Sequence, residues 1–139
     1  MDFYIERLNR ELANIFTFWK LHAIQGRRFA TKVSSNGAVS FSDPLGSLYL
    51  SRVLYGASAA GRYTGDPSHR DMADLAYHTL RNQLTNPNGG YYWAVDENGG
   101  IVHDSMHVSF VQAFVLYGLD EYFSLTTDPE VKKDLFRQI

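Results

Sequence analysis

A chain of 139 residues with a net charge of −2 and no cysteine has the length of one ordinary domain, and it excludes disulfide staples, thiolate chemistry and a basic field for nucleic acid. Its hydrophobic fraction of 45% is that of a folded protein, and its aromatic fraction of 14% is high. The charged, amphipathic start lacks the basic and apolar regions of a signal peptide, and no apolar run reaches membrane-spanning length, so a cytoplasmic protein without membrane or nucleic-acid partners is expected.

In chain order, Phe3, Leu8, Leu12, Ile15, Phe16, Trp19 and Leu21 follow helical spacing and predict an amphipathic helix over residues 2–23. Asn36-Gly37, with short β-prone arms, predicts a hairpin. Asp43 and Pro44 read as the cap and first position of a helix that ends near Gly65. Asp66-Pro67 opens the next helix, which Pro87 and Gly89-Gly90 terminate. A second hairpin turns at Asn98-Gly99. Asp104 reads as the cap of a helix through "SMHVSFVQAFVLYGLDEYFSL", and Asp128-Pro129 opens a last one.

Three blocks recur at one offset of 62 residues: Val53-Leu54-Tyr55-Gly56 as 115–118, Asp66-Pro67 as 128–129, and Asn36-Gly37 as 98–99. Each marks a different structural event, so together they indicate a duplicated supersecondary unit. Each period holds two helices, one connection carrying a hairpin and one tight turn. The expected fold is all-α, built from antiparallel helix pairs of an (α/α)6-barrel type, incomplete, with short β-hairpins on one rim, and the whole chain forms a single partial barrel domain. Gly56 and Gly118 lie mid-helix, where each costs about 1 kcal/mol relative to alanine; close helix packing is the expected reason.

The residues also exclude several chemistries. His103 and His107 are four apart but lack a third ligand or an HExxH pattern, so no metal is expected. With Asp43 and Asp104 read as caps, no inward carboxylate pair for glycoside cleavage emerges. No phosphate-binding glycine loop and no nucleophile elbow is present. Tyr91, Tyr92 and Trp93 form an aromatic cluster that suits either hairpin packing or a sugar-stacking wall.

"FW" at 18–19, "SRVLYGASAA" at 51–60, "GGYYWAVDENGG" at 89–100 and "DSMHVSFVQAFVLYGLDEYF" at 104–123 resemble the N-terminal part of the N-acylglucosamine 2-epimerase superfamily, which also contains cellobiose 2-epimerases and mannose isomerases. The resemblance implies a sugar substrate, proton transfer by histidine through an enediol-type intermediate, and no cofactor. It places Arg52, which interrupts an apolar helix face between Leu50 and Val53, against the sugar's oxygens. Trp93, His107, Phe110 and Phe114 are the other candidate substrate-binding residues. Many relatives carry Lys where His107 stands and Tyr where Phe110 stands. The resemblance also implies that the catalytic histidines come mostly from later helices. The terminal helix pairs of an incomplete ring lack neighbours and leave apolar surface open, so self-association or a completing C-terminal segment is expected. A non-catalytic helical-repeat module is the alternative reading.

Overall fold

The computed structural model describes residues 2–103 and 108–137. They fall into two compact units, Met1–Asp43 and Pro44–Ile139. No helix among the described residues is long and apolar enough to cross a membrane.

In the first unit, α1 (Asp2–Phe18) has the expected helical spacing of apolar residues. Its end widens into a π-helical turn, Trp19–Ala23, so helical backbone stops where the spacing predicts. Two hairpins follow. β1 (Ile24–Gln25) pairs with β2 (Arg28–Phe29), and β3 (Lys32–Val33) pairs with β4 (Val39–Ser40). The second hairpin turns at the predicted Asn36-Gly37. There the Gly37 N–H donates to the Ser34 carbonyl at 2.9 Å, and Gly37 holds φ at +83°, a conformation that only glycine adopts cheaply. The first hairpin adds an element that the sequence reading lacks. Ala23, Phe29 and Ala30 are buried around it.

The second unit contains β5 (Leu45–Gly46), α2 (Ser47–Thr64), α3 (Pro67–Thr79), β6 (Ala94–Val95), β7 (Ile101–His103), α4 (Ser109–Thr126) and α5 (Pro129–Phe136). α3 also runs on into a π-helical turn, Leu80–Leu84. β5, β6 and β7 form one antiparallel sheet in that order, with Leu45 opposite Val95 and Gly46 opposite Ala94. α2 packs against both α3 and α4, and α4 packs against α5. Leu50, Leu54, Leu80, Leu84, Val111, Val115, Leu119 and Val131 are fully buried between them. Each contributes roughly 1.5–3 kcal/mol of burial free energy, and this apolar seam holds the helices in register.

The helix pairs repeat as the offset predicts. α2 and α4 have 18 residues each and begin at positions 62 apart. Each ends on a left-handed residue, Gly65 with φ +71° and Thr127 with φ +55°. Asp66 then caps α3 by accepting from the Ser68 N–H at 2.8 Å, and Asp128 caps α5 by accepting from the Glu130 N–H at 2.9 Å. The side chains of Thr64 and Thr126 bridge both corners alike, each donating to the carbonyl one turn back.

Asp43 and Pro44 do not start a helix, which corrects the sequence reading. α2 begins at Ser47, with Gly46 at the cap position and no side-chain cap. The backbone of residues 45–46 is taken up by pairing with β6. The helix start is satisfied from a distant loop instead, because the Ser47 N–H donates to the Trp93 carbonyl at 2.9 Å. The proposed Asp104 cap lies outside the described residues. α4 itself begins at Ser109 with Val108 at its cap position.

Within this unit the sheet leads into the N-terminal end of α2, while the turns at 65–66 and 127–128 close the opposite ends of the helices. That is the alternation of strand-bearing and tight connections expected from the sequence.

Candidate functional site

The repeat brings equivalent positions of α2 and α4 side by side. The Arg52 guanidinium lies over the Phe114 ring, 5.1 Å from its centroid. One turn further along both helices, Tyr55 and Tyr117 stack with centroids 4.0 Å apart and planes at 12°. Both pairs are 62 residues apart in sequence. Arg52, Phe110 and Tyr117 are exposed, and Tyr55 and Phe114 are half-buried. The α2–α4 seam therefore has a buried aliphatic side and an open side of aromatic and cationic groups. The Tyr117 phenol is pushed up to about 12, first by its hydrogen bond with the neighbouring Tyr55.

Gly118 allows this approach. A Cβ there would stand 2.8 Å from the Ser51 carbonyl oxygen, whereas one at Gly56 would meet nothing within 4 Å. The two glycines of the repeated motif thus differ: Gly118 lets the helices touch, and Gly56 has room for a side chain.

Trp93 joins the same side from the loop before β6. Its ring meets Phe110 edge-on, with centroids 5.8 Å apart and planes at 75°. The loop is fixed from three directions. The Ser47 hydroxyl donates to the Tyr92 carbonyl and the Ser47 N–H to that of Trp93. The Tyr92 N–H donates to the Leu84 carbonyl at 2.8 Å. On the α4 side, the Gln112 amide accepts from the Tyr91 N–H and donates to the Tyr91 carbonyl, both at 2.9 Å. The Tyr91 side chain is buried, and burial pushes its phenol up to about 12.

Of the five candidates read from the sequence, Arg52, Trp93, Phe110 and Phe114 come together on one side of the α2–α4 seam. His107 lies outside the described residues. Tyr91 divides from Trp93: its side chain packs into the interior, as the hairpin-packing alternative has it. Sequence reasoning missed Ser47 and Gln112, whose partners are loop backbone atoms that no motif marks. It also missed Tyr55 and Tyr117, although both stand inside the repeated block. Among the described residues no cluster of three histidines, aspartates or glutamates could hold a metal ion.

Tandem antiparallel helix pairs, with an open arginine–aromatic row and hairpin-bearing connections, define an α/α helical-repeat protein. The chain belongs to the N-acylglucosamine 2-epimerase (GlcNAc 2-epimerase) family, which residues 29–139 match. A cellobiose 2-epimerase of Dictyoglomus turgidum is 35% identical over 88 residues, covering 63% of this chain and 22% of that protein. One from Ruminococcus albus is 29% identical over 129 residues, covering 91% and 33%. The solved structure of cellobiose 2-epimerase from Bacillus thermoamylovorans B4167 superposes with a TM-score of 0.87 at 25% identity, over 99% of this chain and 36% of that one. A D-mannose isomerase structure, with a TM-score of 0.81 at 16% identity, shares the fold. The chain thus spans about a fifth to a third of the length of the curated relatives that it matches, and the helix-pair fold expected from the sequence is the one found.

Proposed function

We propose that this chain supplies one wall of the sugar site of an epimerase or aldose–ketose isomerase acting on a mono- or disaccharide. The observation that carries the proposal is the Arg52 guanidinium held over Phe114 beside Trp93 and Phe110. A guanidinium in a fixed plane donates to a sugar's carbonyl and hydroxyl oxygens and stabilises the negative charge that develops on an enediolate. Aromatic faces receive the C–H surface of the ring. In the reaction, a base removes the proton from the carbon next to the carbonyl, leaving the enediolate. Returning that proton to the opposite face of the same carbon inverts it, and returning it to the neighbouring carbon shifts the carbonyl. Histidine suits the proton-carrying role because its pKa lies near neutrality.

The test is exchange of the sugar's C2 proton in heavy water, followed by NMR with cellobiose, mannose and glucose. Deuterium entering at C2 in a protein-dependent way, and lost in Arg52→Ala, supports the proposal. Exchange that is indifferent to Arg52→Ala contradicts it.

A second reading, a module that binds a sugar without turning it over, draws on the histidines of the second unit. Those with described side chains, His69 and His78, both lie on α3. His69 is buried against the Thr64 hydroxyl, roughly three helical turns along α2 from Arg52. Sugar binding without exchange at C2 selects that reading.

A further inference from the structure

We propose that Gln112 is a positioning residue, which acts through the backbone of Tyr91 to set Trp93 on the sugar-facing wall. The inference rests on the reading of Trp93 as part of that wall.

Gln112 stands on α4 two residues after Phe110, the ring that Trp93 meets. Its amide makes a closed pair with a single residue of the loop, donating from Nε2 to the Tyr91 carbonyl and accepting at Oε1 from the Tyr91 N–H. A primary amide carries a donor and an acceptor side by side, so it can satisfy both backbone atoms of one residue at once. The contact borrows the geometry of a strand ladder and ties the loop to the helix that carries Phe110 and Phe114.

The loop is shaped to receive it. Gly90 holds φ at +75°, and a Cβ there would stand 2.9 Å from Gln112 Oε1. Gly89, at φ +106°, closes the preceding turn by donating to the Asn86 carbonyl. The two glycines of "GGYYW" therefore do different jobs: Gly89 makes the turn and Gly90 leaves room for the amide. Downstream, Ser47 holds the carbonyls of Tyr92 and Trp93 from α2. Trp93 is thus held from α2 by Ser47 and from α4 by Gln112, the two helices that carry Arg52 and Phe114. A Trp ring set by two helices keeps a fixed distance from the rest of the row, which is what a sugar-stacking surface needs.

The test uses 5-fluorotryptophan-labelled protein. Its two tryptophans, Trp19 and Trp93, give two fluorine resonances, and Trp93→Phe assigns them. The informative variant is Gln112→Glu. At neutral pH the ionised carboxylate accepts from the Tyr91 N–H but repels the Tyr91 carbonyl. Once protonated, it can accept and donate as the amide does. The Trp93 resonance is expected to be displaced or broadened at pH 7 and to return towards the wild-type position as pH falls through the carboxyl pKa, ordinarily about 4.3. The wild-type line stays put over the same range, and the Trp19 line is unmoved in both. Gln112→Met, close in size but without either bond, is expected to show the displacement at every pH. A Trp93 line in Gln112→Glu identical to wild type at pH 7, or displaced without recovery in acid, overturns the inference. A merely structural loss of packing has no reason to reverse on protonation. Adding cellobiose tests the underlying reading separately. A sugar-dependent shift of Trp93 whose midpoint concentration rises about tenfold in Gln112→Met, which loses both bonds, supports both. No shift in wild type overturns the wall itself, and with it the role given to Gln112 there, even where the acid recovery is seen.

Discussion

Tyr55 and Tyr117, 62 residues apart in sequence, lie face to face with ring centroids 4.0 Å apart. Each is the third residue of the same four-residue block. Two copies of one supersecondary unit have come to rest with equivalent positions in contact, so that α2 and α4 read each other almost as a helix would read its own image. Arg52 and Phe114 repeat the relationship one turn earlier.

That contact depends on one glycine of the pair. Gly118→Ala forces a Cβ to 2.8 Å from the Ser51 carbonyl oxygen, a backbone atom that cannot rotate away. A loss of about 1–3 kcal/mol is expected, read as a lower urea midpoint. Gly56→Ala meets nothing within 4 Å and is expected to be neutral or to gain up to about 1 kcal/mol from helix propensity. Equal effects at the two positions contradict the packing described.

The helix starts offer a second comparison. Asp66→Ala and Asp128→Ala each remove a side-chain acceptor from a backbone N–H and should cost about 1 kcal/mol. Asp43→Ala, in a dipeptide of the same Asp-Pro type, should cost nothing measurable by thermal unfolding, because α2 starts at Ser47 without it.

Alkaline pH should unfold the second unit. Tyr77 is buried and donates to the Asp134 carboxylate at 2.7 Å. Burial first, and then that hydrogen bond, push its phenol well above the ordinary value near 10. Tyr122 behaves alike, by burial and by its bond to Asp74. A folded-state pKa above the unfolded one gives stability that is complete below pH 10 and is lost as pH rises through the folded value. The last part of the tyrosinate absorbance, from the buried phenols, and far-UV dichroism are expected to change together above pH 10. Full tyrosine ionisation near pH 10 with the helices intact contradicts this.

Ser58 provides a test in the opposite direction. Its hydroxyl is buried and, among the described residues, has no hydrogen-bond partner. Ser58→Ala removes the desolvation cost and improves helix propensity, so a gain of about 1 kcal/mol is expected in chemical denaturation.

Much of this architecture was legible because the signals were local. Asp-Pro at 66 and 128 and Asn-Gly at 36 and 98 act within a few residues, and each does in the structure what it promises. Asp43-Pro44 carries the same local signal and fails, because Leu45 and Gly46 are claimed by Val95 and Ala94, more than a third of the chain away. Local chemistry cannot register a competitor that distant. The same limit hides Gln112 and Ser47: each is an ordinary polar residue on a helix until the loop that they hold is brought to them. Arg52, by contrast, stood out because a charge breaks an apolar face. What it meets, Phe114, follows from the repeat offset, and the repeat was visible.

The most direct test of the sugar-facing wall is a titration of the protein with cellobiose and with mannose, followed by two-dimensional NMR of its backbone, its arginine side chains and the Trp93 indole. Shifts are expected at Arg52, Trp93 and the first two turns of α4 alone, with an affinity that falls by roughly 10- to 100-fold in Arg52→Ala, the worth of one charge-assisted hydrogen bond. Sugar binding that leaves those resonances untouched and is unchanged in Arg52→Ala would contradict the sugar-facing wall.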